Sequence, residues 1–290
     1  MQQHLANMGD GRVNGVAILD AIPEGELNTA RRLREDLRDI STNFVDGLQV
    51  RYVHVDTIAS LEAGISSLLD EAKTNGLRPW LHLEGHGFSN EDGFLCANGE
   101  HCSWNRLKEI ITPLNVSTGL NLVLILATCY GGSFARAIQT VDRSPVLGLI
   151  GPTREVKTRQ LETGFPAFYR TFFETLSLKK AINALNETAP KNLYYRTTAE
   201  RFFYDVWAGY KKTHCSKQEI ANRARRMYRK AKSQDLPKTP SVGQLKRLIR
   251  GKERDLFEKY RDAYFMYDIH RSNRTRFPVT YEEAEAYASR

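Results

Sequence analysis

Between Gly15 and Asn186 the apolar residues follow two alternating rhythms, and no other feature of the 290-residue chain constrains its fold as tightly. Short apolar runs bounded by glycine, or with alternate positions apolar, predict strands; apolar residues three and four apart predict amphipathic helices. "NGVAILDA" is such a run, and Leu27, Ala30, Leu33, Leu37 and Ile40 follow it at helical spacing. "LQVRYVHVD" alternates and is succeeded by Ile58, Leu61, Ile65, Leu68 and Ala72, with "TNG" as a helix stop. A third strand, "RPWLHLEGHG", leads into "DGFLCANGEHCSW", which reads as a small hairpin, and then into a helix with Ser103 as N-cap through Leu107, Ile110 and Ile111. The strand "LNLVLILATC" comes next, then "SFARAIQTV" as a helix and "SPVLGLIGP" as a buried strand. "GFPAFYRTFFETLSLKKAINALN" reads as two helical stretches joined near Ser177. Because parallel neighbours need crossover connections, this alternation predicts an α/β fold: a mostly parallel central sheet with helices on both faces.

Beyond about Ala189 the strand signals stop. Two helical blocks, roughly Ala199 to Ser233 and Ser241 to Tyr267, flank the turn-rich "SQDLPKTPS". Charge divides the chain at the same place. Residues 191–290 carry 24 Lys and Arg against 12 Asp and Glu, a net of +12, whereas residues 1–190 carry 18 against 22, a net of −4. The expected organisation is therefore an α/β domain over 1–190 and a basic helical extension over 191–290. Such an extension is most simply a solvated face, but it also suits an acidic protein partner or nucleic acid. Trp207, Tyr210, Tyr228, Tyr260 and Tyr264, interleaved with "RARRMYRK" and "KRLIRGKER", could stack bases, or lie in a helical core.

Four cysteines are too few for a disulfide scaffold in a chain of this length, and no leader-like stretch opens it. The longest apolar stretch, Leu120 to Ala127, is far shorter than the roughly 20 residues of a membrane-spanning helix. The expectation is a reduced, cytoplasmic protein without membrane association.

Two strands end in reactive residues: "RPWLHLEGHG" delivers His86 followed by Gly87, and "LNLVLILATCYGG" delivers Cys129 followed by Tyr130 and Gly131. In an open parallel sheet the carboxyl ends of the strands converge on a crevice, so the two side chains should meet. A thiol beside an imidazole can attack a carbonyl while the imidazole handles the proton, and the flanking glycines let a substrate backbone approach. The competing reading is a buried, inert cysteine.

"LHLEGHG", "DGFLCANGEHCSWNRL" and "LNLVLILATCYGG" together resemble the caspase-like cysteine peptidases, in particular the bacterial CHAT branch, over about residues 12 to 188. The resemblance implies a cysteine endopeptidase with no cofactor or metal: His86 as general acid and base, Cys129 as nucleophile, and the backbone N–H groups of Gly87 and Cys129 as oxyanion hole. It further implies a protein substrate, release of activity by a regulatory protein partner, and a role as an effector in bacterial defence. The position two before the cysteine, which is glutamine in caspases and aspartate in metacaspases, is Ala127 here. Ala127 is thus expected to shape a substrate pocket by size, with an uncharged P1 residue as the default. A backbone carbonyl or Glu84 could orient His86. Cys96, His101, Cys102, His214 and Cys215 do not supply the paired knuckles of a structural zinc site. The alternative function is a catalytically silent scaffold of the same fold whose basic region grips a protein or nucleic acid.

Overall fold

A computed structural model describes residues 6–8, 11–43, 47–139, 142–234 and 239–290. The chain divides into two compact units, one formed by Met1–Ile138 with Ser144–Ala199, the other by Gln139–Arg143 with Glu200–Arg290.

The first unit opens with a two-stranded antiparallel ribbon, β1 (Ala6–Met8) and β2 (Gly11–Val13). Then β3 (Gly15–Ala21), α1 (Thr29–Asn43), β4 (Gln49–His54), α2 (Ile58–Thr74) and β5 (Pro79–Gly87) realise the expected strand-helix units. The hairpin β6 (Gly93–Leu95) and β7 (His101–Ser103) follows, with α3 (Trp104–Ser117) capped by the Ser103 side chain, which accepts from Arg106 N–H. β8 (Val123–Ala127), a 3-10 turn (Gly131–Ala137), β9 (Gly148–Pro152), α4 (Thr158–Thr175), α5 (Leu178–Glu187) and β10 (Tyr194–Thr198) complete the unit.

The main sheet runs in the order β10-β9-β8-β5-β3-β4. It is parallel except for β10, which pairs antiparallel with β9, and β6–β7 extend the end of β5. One face is the core shared with α1, α4 and α5, where Val16, Ile18, Trp80, Val123, Ile125 and Ala127 meet Leu33, Leu37, Phe165, Phe168, Tyr169 and Phe172. Trp80 stacks obliquely on Phe172 at 4.5 Å between ring centroids. Alternation sends Leu19, Leu81, Leu83, Leu124 and Leu126 to the opposite face. There α2 lies so close to β4 that a Cβ on Gly64 would stand 2.4 Å from Val53 Cγ1.

Two expectations change. The α/β unit does not end near residue 190, because "YYRTT" adds an edge strand; its polar, part-exposed residues give no apolar alternation to read. "SFARAIQTV" does not form an α-helix: a 3-10 turn from Gly131 ends at Ala137, where Ile138 turns extended, and residues 140–141 lie outside the described ones.

The second unit contains α6 (Ala199–His214, whose first residue belongs to the α/β unit), α7 (Lys217–Ser233), α8 (Val242–Gly251), α9 (Glu253–Tyr264), α10 (Asn273–Arg276) and α11 (Tyr281–Ala288). Of "SQDLPKTPS", residues 235–238 lie outside the described ones. Trp207 and Tyr264 are fully buried with Phe203, Phe257 and Phe265, so they form the core of this unit and are not open to bases. Among the described residues no helix is long and apolar enough to cross a membrane.

Candidate active site

The register of β5 and β8 pairs Glu84 with Ala127, and each strand carries its reactive residue two positions further on. His86 and Cys129 thus leave neighbouring strands at the same edge. Gly87 makes the approach close: a Cβ there would stand 2.0 Å from the Cys129 carbonyl oxygen and 2.9 Å from its Cβ, so no other residue fits without moving one strand end. The same packing aims a donor. β6 pairs with β5 through His86↔Leu95 and Gly87↔Phe94, and Phe88 N–H donates to the Gly93 carbonyl at 2.9 Å. In an antiparallel pair the hydrogen-bonded positions alternate, which makes Gly87 a non-bonded one whose N–H points away from β6, toward Cys129.

Both side chains are tied to the loops that open the helices of one face. His86 Nε2 lies 2.8 Å from Glu26 Oε2, in the loop ahead of α1. Cys129 Sγ accepts from Val156 N–H at 3.4 Å, in the loop ahead of α4. That loop is held in turn by Tyr130 N–H donating to the Arg154 carbonyl at 3.2 Å and by Thr153 N–H donating to Leu193 at 2.7 Å. Tyr130, immediately after the cysteine, has φ 58° and ψ 20°, a left-handed conformation that costs a non-glycine residue about 1–2 kcal/mol. Such outliers persist where the surroundings over-determine them. Here the turn swings the chain off the strand end and leaves Cys129 partly exposed.

Cys129 opens on a cleft of about 550 Å³ lined by Gly87, Ser89, Tyr130, Arg154, Lys157 and Gln160 among others. The remaining thiols are placed differently. Burial pushes Cys96 up to about 11 and Cys102 up to about 12, and both are all but inaccessible. Cys215 is raised as well, chiefly by burial.

The expected residues are distributed as follows. Gly87 and Cys129 lie against each other and both line the cleft; His86 stands beside Gly87 on the same strand end, with its side chain on Glu26, and is not among the residues lining the cleft. Ala127 is fully buried within the core shared with α1 and α4 and does not line the cleft, because it lies within the strand and not at its end. Glu84 is 2% exposed and does not bond His86: its oxygens accept from Thr29 Oγ1 and face His82 Nε2 at 2.9 Å. The side chain on His86 is instead Glu26, a loop residue that no periodicity or spacing marks. Among the described residues no three His, Cys, Asp or Glu side chains cluster as a metal site would require, and His101 pairs with Asp92 at 2.9 Å. Neither a scan against protein-family models nor a comparison with curated proteins gives a match.

Proposed function

We propose that the chain is a cysteine peptidase that cleaves a protein target through Cys129 and His86. The observation that supports this reading is the contact of Gly87 with the backbone of Cys129, which brings together the two strand ends that carry His86 and Cys129, 43 residues apart in sequence. In the reaction the Cys129 sulfur attacks the scissile carbonyl carbon and its proton passes to His86. The tetrahedral oxyanion is met by the N–H groups of Gly87 and Cys129, each such donor contributing about 3–4 kcal/mol in comparable sites. His86 then delivers its proton to the leaving amine, and water hydrolyses the thioester. Since Glu26 occupies Nε2, Nδ1 is the nitrogen that exchanges protons with the thiol. Glu26 would thus fill the orienting role expected of a backbone carbonyl or Glu84.

The resemblance to CHAT-type peptidases adds a defence effector held in check until a partner protein releases it. The basic charge that would receive such a partner is concentrated: residues 217–252, which hold α7 and α8, carry 12 basic residues against two acidic, while the rest of the helical unit carries eleven of each. The test of function is mass-spectrometric cleavage mapping of a proteome-derived peptide pool by the full chain. New termini should appear with the wild type and none with Cys129→Ala; cleavage by Cys129→Ala would refute the assignment.

A further inference from the structure

The helical unit holds an open groove of about 400 Å³ between α7 on one side and α8 with α9 on the other. Ile220 and Met227 of α7, Leu248 and Ile249 of α8 and Leu256 of α9 give it an apolar lining. Five large apolar side chains are well exposed among the described residues, and two of them, Met227 at 42% and Leu248 at 51%, line this one groove. A single exposed apolar side chain is ordinary, but several gathered in one concave site mark a surface that another molecule covers.

Two properties define what would cover it. The first is shape. Ile220 and Met227 stand seven residues apart on one face of α7, so the apolar lining runs roughly 10 Å along that helix, two turns. A groove of this kind between helices takes the apolar face of an amphipathic helix. Met227 suits such a role, because its flexible thioether adapts to the side chain laid against it.

The second is charge. Arg223 lines the groove between Ile220 and Met227, Lys230 continues the same face of α7, and Lys259 lines the groove from α9. Arg223 donates to the His214 carbonyl at 3.4 Å, and none of these three cations meets a carboxylate among the described residues. The two carboxylates at the groove are engaged already: Glu253 by Lys211 and the Tyr281 hydroxyl, Asp255 by Lys252. An apolar floor is thus bordered by positive charge that the chain itself leaves uncompensated, and complementarity calls for a negative partner. Nucleic acid would use the charge but not the floor. The aromatic side chain at the groove, Tyr210, is stacked on Trp207 at 5.3 Å between centroids and is not presented to a base.

We infer that this groove is the docking site of an acidic protein segment, which lays an amphipathic helix between α7 and α8–α9 with its apolar side chains on Met227 and Leu248 and its carboxylates on Arg223, Lys230 and Lys259. The inference gives a place and a chemistry to the partner invoked above; its regulatory meaning rests on the peptidase reading, and the binding itself does not.

Selection followed by direct titration tests it on the full chain. A display library of random helix-length peptides is panned against Cys129→Ala, so that cleavage cannot remove a ligand, and the enriched peptides are labelled with a fluorophore and titrated by anisotropy. They should carry net negative charge, with apolar residues at i, i+3 or i+4, and i+7. Met227→Glu and Leu248→Glu change exposed side chains, so circular dichroism should show both folded, and each should weaken binding at least about tenfold. Lys230→Glu combined with Lys259→Glu should weaken it by about the same factor, and added salt should weaken it as well. Enriched peptides without an acidic excess, or binding indifferent to Met227→Glu and Leu248→Glu, would overturn the inference. So would a DNA duplex that outcompetes every enriched peptide, or a wild-type dimer in light scattering that Leu248→Glu dissolves, since the occupant would then be nucleic acid or a second copy of the chain. Binding is read without turnover, so a chain that cleaves nothing can still uphold the groove, and a chain that cleaves can still lack it.

Discussion

The two compact units handle polar groups in opposite ways. In the α/β unit Asp20, Thr29, His82, Glu84, Asn115 and Thr128 are buried, and Asp20, Thr29, His82 and Glu84 lie on the sheet face beneath the candidate dyad or against it. In the helical unit Asn273 is the one buried polar residue among those described. Its core is aromatic, with Phe203, Trp207, Phe257 and Tyr264 in mutual contact, and its charge is outside, on α7 and α8. Burying hydrogen-bonded charge is rarely the cheapest way to stabilise a fold, so a network of this kind marks the unit in which polar groups are held for a purpose. The helical unit is built like a support with a charged exterior.

The comparison can be broken most severely at the dyad. Cys129→Ala and His86→Ala should each lower peptide turnover by roughly a thousandfold or more, and the double variant should be no worse than either, because the two residues act as one unit. Circular dichroism and thermal melting should show both variants folded. A fully active His86→Ala would place the polar network of the α/β unit in a structural role.

A smaller loss is expected at Gly87. The added methyl of Gly87→Ala would collide with the Cys129 carbonyl, so one strand end must shift and an oxyanion donor is displaced. Turnover should fall about a hundredfold, carried by kcat, in line with the loss of one such donor. Smaller still is Glu26→Gln. Both Glu26 and His86 are about half exposed, so solvent screens the pair, and kcat should fall by only about fivefold with KM unchanged.

At the low end stands the helical unit. Arg225 and Arg229 are exposed on α7. Reversing both to glutamate should change unfolding free energy by less than about 0.5 kcal/mol and leave the labelling rate of Cys129 in the isolated chain unaltered. A large effect on either would show that α7 is part of the catalytic architecture and not a separate, outward-facing surface.

Much of the α/β unit was legible because its signals are local. Glycine-bounded apolar runs gave the strands, the hairpin lay in "DGFLCANGEHCSW", Ser103 was readable as a helix start and Ser177 as the junction of two helices; in the structure each caps its helix through the N–H three residues on. His86 and Cys129 were legible because each closes a strand. Glu26 was not, since its partner is 60 residues away and the loop holding it has no period. The partners of Glu84 were hidden as well: the sequence places it two residues from His86 on one strand, but its oxygens accept from Thr29 and face His82 and do not bond His86. β10 escaped because an edge strand with a largely polar sequence looks like a loop. In the helical unit the aromatic spacing was readable as core, yet the concentration of net charge on α7 and α8 needed the helix boundaries to be seen.

The central claim is that Cys129 and His86 form one reactive pair, and covalent labelling tests it most directly. The wild-type chain and His86→Ala are treated with a peptidyl acyloxymethyl ketone at pH 8, and modification of each cysteine is followed by peptide mapping. Thiols raised to about 11 and about 12, as at Cys96 and Cys102, stay protonated at this pH and should remain unmodified until the chain unfolds. The account predicts that Cys129 is modified first, ahead of Cys215, and that His86→Ala slows this at least about a hundredfold. Labelling that is indifferent to His86, or that reaches Cys215 as fast as Cys129, would contradict it.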